Sequence, residues 1–170
     1  MKNIVILPLT LYGSMSCLAQ EFHTEDLESK EHHNKFNQPT IGIAVPYSKE
    51  IGAAGINFRM YFNLGEKLCF GPEYSYFRNE EYEIVDFDFI AHYIFETPIV
   101  GLYTLLGGNY TVETDLSITE ETEAAFGIIV GAGIHKNFNK IIAFAEYTRV
   151  DLGIDDQFVV AGLMLTIGQE

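Results

Sequence analysis

From Thr40 onward, the chain places large apolar side chains at every second position. The clearest case is the segment 51–63, where one face carries Ile56, Phe58, Met60 and Phe62. Arg59 lies between them on the opposite face. Successive side chains of a β-strand point to opposite faces, so a period of two predicts strands. The chain is therefore predicted to form a sheet with one large apolar face.

Two further segments repeat this alternation. In the segment 67–78, Phe70 belongs to the apolar face and Glu73 to the other. In the segment 83–96, Phe87 and Phe89 alternate with Asp86, Asp88 and His92. The second face also carries seven glycines, which make room for larger neighbours: Gly55, Gly71, Gly101, Gly107, Gly127, Gly131 and Gly133.

The bulk of the apolar face decides which side of the sheet points inward. A soluble barrel would have to fit several phenylalanines per strand into one small core. In a membrane barrel the same side chains face lipid, and the small and charged ones fill a narrow interior. The glycines favour this second arrangement. We therefore predict that the following side chains face lipid: Ile56, Phe58, Met60, Phe62, Phe70, Phe87 and Phe89.

Eight segments carry the strand pattern: 39–46, 51–63, 67–78, 83–96, 99–112, 124–136, 140–150 and 157–167. An even number of strands closes an antiparallel up-and-down barrel with both ends on one side. We expect tight turns at 63–67, 96–98 and 136–140, and longer or more acidic loops at 78–82, 113–123 and 151–156. Short turns are typical of the periplasmic side. The predicted external acidic loops contain Glu80, Glu81, Glu113, Asp115, Glu120, Glu121, Asp155 and Asp156.

The first 38 residues read differently from the rest. Residues 1–19 contain Lys2, an apolar run over 4–12 and small residues up to Ala19, which is the layout of a signal peptide cleaved after Ala19 or Gln20. The apolar run is too short to cross a bilayer as a helix. Residues 20–38 are polar and acidic, and we predict a flexible periplasmic lead. The predicted fold is thus all-β, an eight-stranded antiparallel up-and-down transmembrane β-barrel over residues 39–170, preceded by a signal peptide and a short polar lead.

Charge and cysteine content exclude some classes of protein. The formal net charge is −14, whereas binding of nucleic acid needs basic patches. We therefore expect no nucleic-acid partner. After loss of the signal peptide only Cys69 remains, so no internal disulfide is expected.

The polar face of the strands supplies the candidate site. The following residues are predicted to point into the barrel: Arg59, Glu73, Asp86, Asp88, His92 and Glu146. Charges in such a place are costly unless they are paired. We expect Arg59 to bond Glu73 across the hairpin or Glu146 across the barrel. The network is interpreted as a structural polar plug, with the alternative that it gates a narrow ion path.

The sequence contains no pattern that predicts an enzyme. Neither Gly-x-Ser-x-Gly nor His-Glu-x-x-His occurs. Asp88 and His92 share a face, but at about 3.3 Å per residue they lie roughly 13 Å apart, too far for an acid and base pair. The tail histidines and the acidic loops lack the spacing of a defined metal site. We expect no catalytic residues, no cofactor and no metal.

Three segments resemble a known family. GLYTLLGGNY (101–110), FGIIVGAGIHKNF (126–138) and IIAFAEYTRVDLG (141–153) are similar to the closing strands of the small outer-membrane barrels of the porin-like family, the OmpA/OmpX type. The resemblance implies eight strands and assembly by the outer-membrane insertion machinery. The roles it implies range from structural protein to adhesin and narrow channel.

Three hypotheses for function follow. The first is a non-enzymatic monomer in the bacterial outer membrane, exported through the signal peptide, surrounded by lipid and lipopolysaccharide, that acts as a structural or surface-interaction module through its acidic loops. The second is a narrow pore for ions or small solutes, gated by Arg59 and its carboxylate partners. The third is a soluble periplasmic barrel of lipocalin type, which requires the face of Phe58, Phe70, Phe87 and Phe89 to point inward around an apolar ligand.

Overall fold

The computed structural model describes residues 39–65, 67–117 and 121–167. The predicted signal peptide and lead, residues 1–38, lie outside the described residues, as does Glu120. The described part contains eight strands. They are β1 Thr40–Ser48, β2 Ala53–Asn63, β3 Leu68–Arg78, β4 Tyr82–Glu96, β5 Gly101–Asp115, β6 Glu121–Phe138, β7 Ile141–Asp151 and β8 Asp156–Thr166. Over these same residues, no helix is long and apolar enough to cross a membrane.

The strands form one closed barrel. Each strand pairs antiparallel with the next along the chain, and β8 pairs with β1. This last pairing runs from Thr40 opposite Thr166 to Ser48 opposite Phe158. Closure gives the strands backbone partners on both sides, which an open sheet cannot do at its edges. The predicted eight-stranded antiparallel barrel is confirmed.

The strand ends differ from the prediction mainly at β5 and β6. The predicted loop 113–123 is largely a hairpin, because β5 continues to Asp115 and β6 begins at Glu121. Glu113, Asp115 and Glu121 are therefore strand residues and not loop residues, which corrects the prediction. Their polar, acidic sequence is typical of a loop. In the structure, backbone pairing nevertheless continues to Asp115, which lies opposite Glu121.

The two ends of the barrel differ in charge more than in the length of their connections. One end joins the strands through residues 64–67, 97–100 and 139–140, and the other through 49–52, 79–81, 116–120 and 152–155. The expected contrast between tight turns and long loops is therefore mostly wrong. We call the first end, which also holds Thr40 and Thr166, the terminal end. We call the second the acidic end because of its carboxylates.

Through the middle of each strand, side chains alternate between the outside and the inside of the barrel. Phe58, Phe87 and Phe89 are 49%, 51% and 57% exposed on the outer surface. Arg59, between outward neighbours, is only 4% exposed. Ile56, Met60 and Phe62 also face outward, and Phe70 is half-buried among outward rings. The outer surface is thus apolar around the middle of the barrel.

The interior contains more apolar bulk than the sequence analysis predicted. Close to the acidic end, several buried side chains fill the lumen, and we call this set the apolar plug: Phe77, Ile84, Ile129, Val150, Phe158 and Val160. The rings of Phe77 and Phe158 stack with their centroids 5.3 Å apart. A residual cavity of about 20 Å³ remains in this region, room for about one water molecule.

Gly71 lies where β2 and β3 approach most closely. A Cβ atom at this position would overlap the carbonyl oxygen of Met60. We expect Gly71→Ala to lower the free energy of unfolding by about 1–3 kcal/mol or more, since the backbone would have to move. Gly108→Ala is the matched control, because a Cβ there meets nothing within 4 Å. Urea titration in lipid vesicles measures both, and equal stability of the two variants would contradict the assigned close approach.

Candidate functional site

The centre of the barrel is organised around one guanidinium group. The Nη2 atom of Arg59 lies 2.9 Å from Glu73 Oε2 and 3.0 Å from Glu146 Oε1. Its Nε donates to Asn57 Oδ1 at 2.7 Å. The guanidinium carbon also lies 4.4 Å from the ring centroid of Phe144. Arg59 thus contacts both of the carboxylates that the sequence analysis named as alternative partners.

Neutral donors complete the two ion pairs. Glu73 accepts hydrogen bonds from Asn57 Nδ2, at 2.8 Å, and from the hydroxyl of Tyr61. Glu146 accepts one from the hydroxyl of Tyr103 at 2.7 Å. Both carboxylates are nearly inaccessible, at 6% exposure each. Buried charges with several partners hold one geometry rigidly, because removal of a partner leaves a charge uncompensated.

A second polar group lies beside this network, nearer the acidic end. Asn109 Nδ2 donates to Asp88 Oδ1 at 2.7 Å, and the Thr111 hydroxyl lies 2.5 Å from Asp86 Oδ1. Asp86 and Asp88 are 3% and 8% exposed. These carboxylates are held by an amide and a hydroxyl rather than by a cation. Asp86 and Asp88 thus add two buried carboxylates to the pair that contacts Arg59.

An open chamber occupies the other half of the lumen. It has a volume of about 540 Å³, reaches Arg59 at its inner end and is lined by Tyr61, Cys69, His92 and Tyr103 among others. The His92 ring makes edge contacts with Tyr61 and Tyr103, at centroid distances of 4.6 and 5.1 Å. Its Nδ1 atom is buried without a hydrogen-bond partner. This chamber lies toward the terminal end of the barrel.

Asp88 and His92 do not contact each other in the structure. Asp88 and His92, four residues apart on β4, each take other neighbours: Asn109 for Asp88 and two tyrosine rings for His92. Within residues 39–65, 67–117 and 121–167, no three side chains of His, Cys, Asp or Glu form a group that could hold a metal ion.

The acidic end collects the carboxylates outside the barrel interior. Glu80 and Glu81 lie in the turn between β3 and β4, and Asp155 precedes β8. Asp156 is the exception among the predicted loop residues. It begins β8, is 8% exposed, and accepts hydrogen bonds from the Ser48 hydroxyl and the Glu50 amide. Asp156 thus fastens the β1–β2 connection to β8, because its oxygens satisfy backbone and hydroxyl donors.

Sequence reasoning missed the donors and the plug. Asn57, Tyr61, Tyr103, Asn109 and Thr111 satisfy the interior carboxylates. All five lie on the polar face by the period of two, so the same alternation could have found them. The facing of Phe77 and Phe158 was harder to predict, because the residues before and after each of them are also large. Only the barrel register shows that their rings point inward.

These features define a class of fold: the small eight-stranded β-barrel of outer-membrane proteins, of the OmpA/OmpX type. No protein-family model matches the chain, and no curated protein matches it in sequence. Solved structures do. The barrel is similar to the N-terminal β-barrel domain of Pseudomonas aeruginosa OprF, with a TM-score of 0.69 and 16% identity over 77% of this chain and 98% of that one.

Two further solved structures agree. Neisserial surface protein A gives a TM-score of 0.57 at 17% identity, covering 76% of this chain and 95% of that one. The attachment invasion locus protein Ail of Yersinia pestis gives 0.54 at 19% identity, with the same coverages. At identities this low the similarity defines the fold alone.

Proposed function

We propose that the chain is a non-enzymatic protein of the bacterial outer membrane, and that it acts there as a structural or surface-interaction module with its acidic end outside. One observation carries this proposal. Apolar side chains, including Phe58, Phe87 and Phe89, form a belt on the outer surface, while the ion pairs of Arg59 and the apolar plug occupy the lumen. An exposed belt of phenylalanines is stable in lipid and not in water. The lumen, in turn, is closed near the acidic end.

Surroundings and orientation follow from the same arrangement. Lipid covers the belt, lipopolysaccharide surrounds the acidic end, and the terminal end faces the periplasm, where the insertion machinery acts. The chain is taken to be a monomer, since its strands already pair in a closed ring. The lipocalin alternative is disfavoured, because Phe58, Phe87 and Phe89 face outward and the apolar plug fills the lumen near the acidic end.

Cysteine labelling in whole cells tests this location. In a Cys69→Ser background, we expect Ser117→Cys, in the β5–β6 turn at the acidic end, to react with a bulky membrane-impermeant maleimide in intact cells. Lys67→Cys, at the terminal end, should react only after the outer membrane is permeabilised. The background chain without an added cysteine is the blank. Labelling of Lys67→Cys alone in intact cells would invert the orientation, and release of the protein as a soluble periplasmic species would end the proposal.

The apolar plug predicts that the barrel does not conduct, even without its central cation. We expect neither the wild-type protein nor Arg59→Ala to form channels in a planar bilayer, because Phe77 and Phe158 close the lumen beyond the ion network. Addition of Phe77→Ala and Phe158→Ala to Arg59→Ala should produce conductance. The mobility of unheated samples on a gel controls for folding. Openings caused by Arg59→Ala alone would support the gated pore instead.

A further inference from the structure

The hairpin of β5 and β6 continues past the rim of the barrel. β5 and β6 remain paired up to Asp115 opposite Glu121, whereas the β6–β7 ladder stops where Ile128 lies opposite Asp151. The first residues of β6 therefore have β5 on one side. On the other side, no strand among the described residues pairs with them. We call residues 121–126 the rim edge.

The backbone of the rim edge has groups that point away from β5. A Cβ on Gly153 would lie 2.8 Å from the carbonyl oxygen of Phe126, so this carbonyl points toward the side where β7 would continue, and the β7–β8 connection covers it there. Backbone groups of successive strand residues point alternately to the two neighbours. Those of Thr122 and Ala124 therefore point the same way, away from β5. An exposed edge of this kind is a template for the addition of another strand.

The two faces of this hairpin differ in charge. On one face, Glu113 lies opposite Glu123, and Asp115 lies opposite Glu121. Like charges directly opposite each other destabilise a strand pair, and two successive pairs form an acidic ladder. The other face is neutral: the hydroxyls of Thr114 and Thr122 are 3.2 Å apart.

The neutral face also ends in an exposed ring. Phe126 is 79% exposed, and its ring is tilted against that of Tyr110 with the centroids 4.7 Å apart. This ring offers an apolar contact next to the backbone groups that point away from β5. The rim edge thus combines the backbone groups of Thr122 and Ala124, with which no described strand pairs, a row of negative charges on one face and an aromatic ring on the other.

We propose that the rim edge binds an extended segment of a partner protein that carries lysine or arginine at alternate positions. This inference rests on the proposed function, because it assigns a binding surface to the exposed acidic end. The added strand bonds the backbone of Thr122 and Ala124. Its alternate side chains then lie beside the acidic ladder, and the remaining ones lie on the side of Phe126.

Charge complementarity distinguishes this occupant from a second copy of the chain. Two copies joined edge to edge would each contribute Glu121 and Glu123 to the same sheet, and their repulsion opposes pairing. A basic strand supplies the opposite charge at the same spacing. The partner is therefore a different protein, with a cationic extended segment.

A peptide titration of the folded mature chain in detergent micelles tests the proposal. The probe is a fluorescent peptide of alternating lysine and threonine, about as long as the rim edge. A second peptide carries a central proline, which cannot donate a strand hydrogen bond. We expect saturable binding of the first peptide, about tenfold weaker binding of the second, and slowed hydrogen exchange at the amides of Thr122 and Ala124.

Three variants make the outcome specific. Glu121→Gln with Glu123→Gln removes charge from the ladder, and Ala124→Pro removes an edge donor that β5 does not use; each should weaken binding about tenfold. Glu80→Gln with Glu81→Gln removes the same charge from the β3–β4 turn and should leave binding unchanged. Equal loss in all three variants, equal binding of both peptides, or self-association abolished by Ala124→Pro would overturn the inference. Failure of the proposed function appears separately, in the cysteine labelling of whole cells.

Discussion

Replacing Arg59 with alanine should lower the free energy of unfolding by about 3–5 kcal/mol, because Glu73 and Glu146 would remain buried with no cation beside them. The loss exceeds that of an ordinary hydrogen bond, since two desolvated carboxylates at 6% exposure repel one another once the guanidinium is gone. Urea titration in lipid vesicles, followed by the gel mobility of unheated samples, measures it.

Two variants calibrate this result. Arg149 pairs with Asp151, but the two side chains are 53% and 42% exposed, so Arg149→Ala should cost about 0–1 kcal/mol. Arg59→Met combined with Glu73→Gln and Glu146→Gln removes the charges together and should recover most of the loss. If Arg59→Ala and Arg149→Ala lowered the free energy of unfolding by the same small amount, the ion pairs of Arg59 would not be what stabilises the barrel interior.

Phe58→Arg should cost about 2–4 kcal/mol in lipid vesicles, because the new charge would face hydrocarbon near the middle of β2. Ile99→Arg is the matched control. Ile99 is 76% exposed in the turn between β4 and β5, at the terminal end, where an arginine costs about 0–1 kcal/mol. Both positions are exposed on the protein surface, so a barrel in water would tolerate the two substitutions equally. That equality, measured by urea titration, would contradict the membrane interpretation.

The alternation of side chains was enough to predict the barrel. In β2, outward Phe58 and Met60 flank inward Arg59, and a shift of one residue would expose the charge and bury the rings. The same period placed Glu73 on the inward face. It left the facing of β7, which carries Glu146, open, because both faces of that strand are apolar. Only the shear of the closed sheet could show that both carboxylates reach Arg59 at once, because that depends on how strands far apart in sequence align.

The facing of Phe77, the length of the β5–β6 hairpin and the role of Asp156 depend on the register between strands, which cannot be predicted from one sequence. Phe77 lies between Tyr76 and Arg78, so the alternation there has no clear apolar side. The segment 113–123 is rich in glutamate and threonine, and such composition predicts a loop. Its pairing with β5 is visible only in the ladder that joins Thr114 to Thr122. In the sequence Asp156 belongs to an acidic loop, and only the structure shows that it accepts a hydrogen bond from Ser48.

Tryptophan quenching by brominated lipid tests whether the outward phenylalanines face lipid while the apolar plug lies inside the barrel. The chain contains no tryptophan, so a single introduced residue reports alone. Phe58→Trp replaces a ring 49% exposed on the outer surface, and Phe77→Trp one that is 1% exposed in the plug. In vesicles with brominated acyl chains, we expect strong quenching of Phe58→Trp and little of Phe77→Trp. Strong quenching of Phe77→Trp with none of Phe58→Trp would reverse the facing of the strands and contradict a membrane barrel with this lumen.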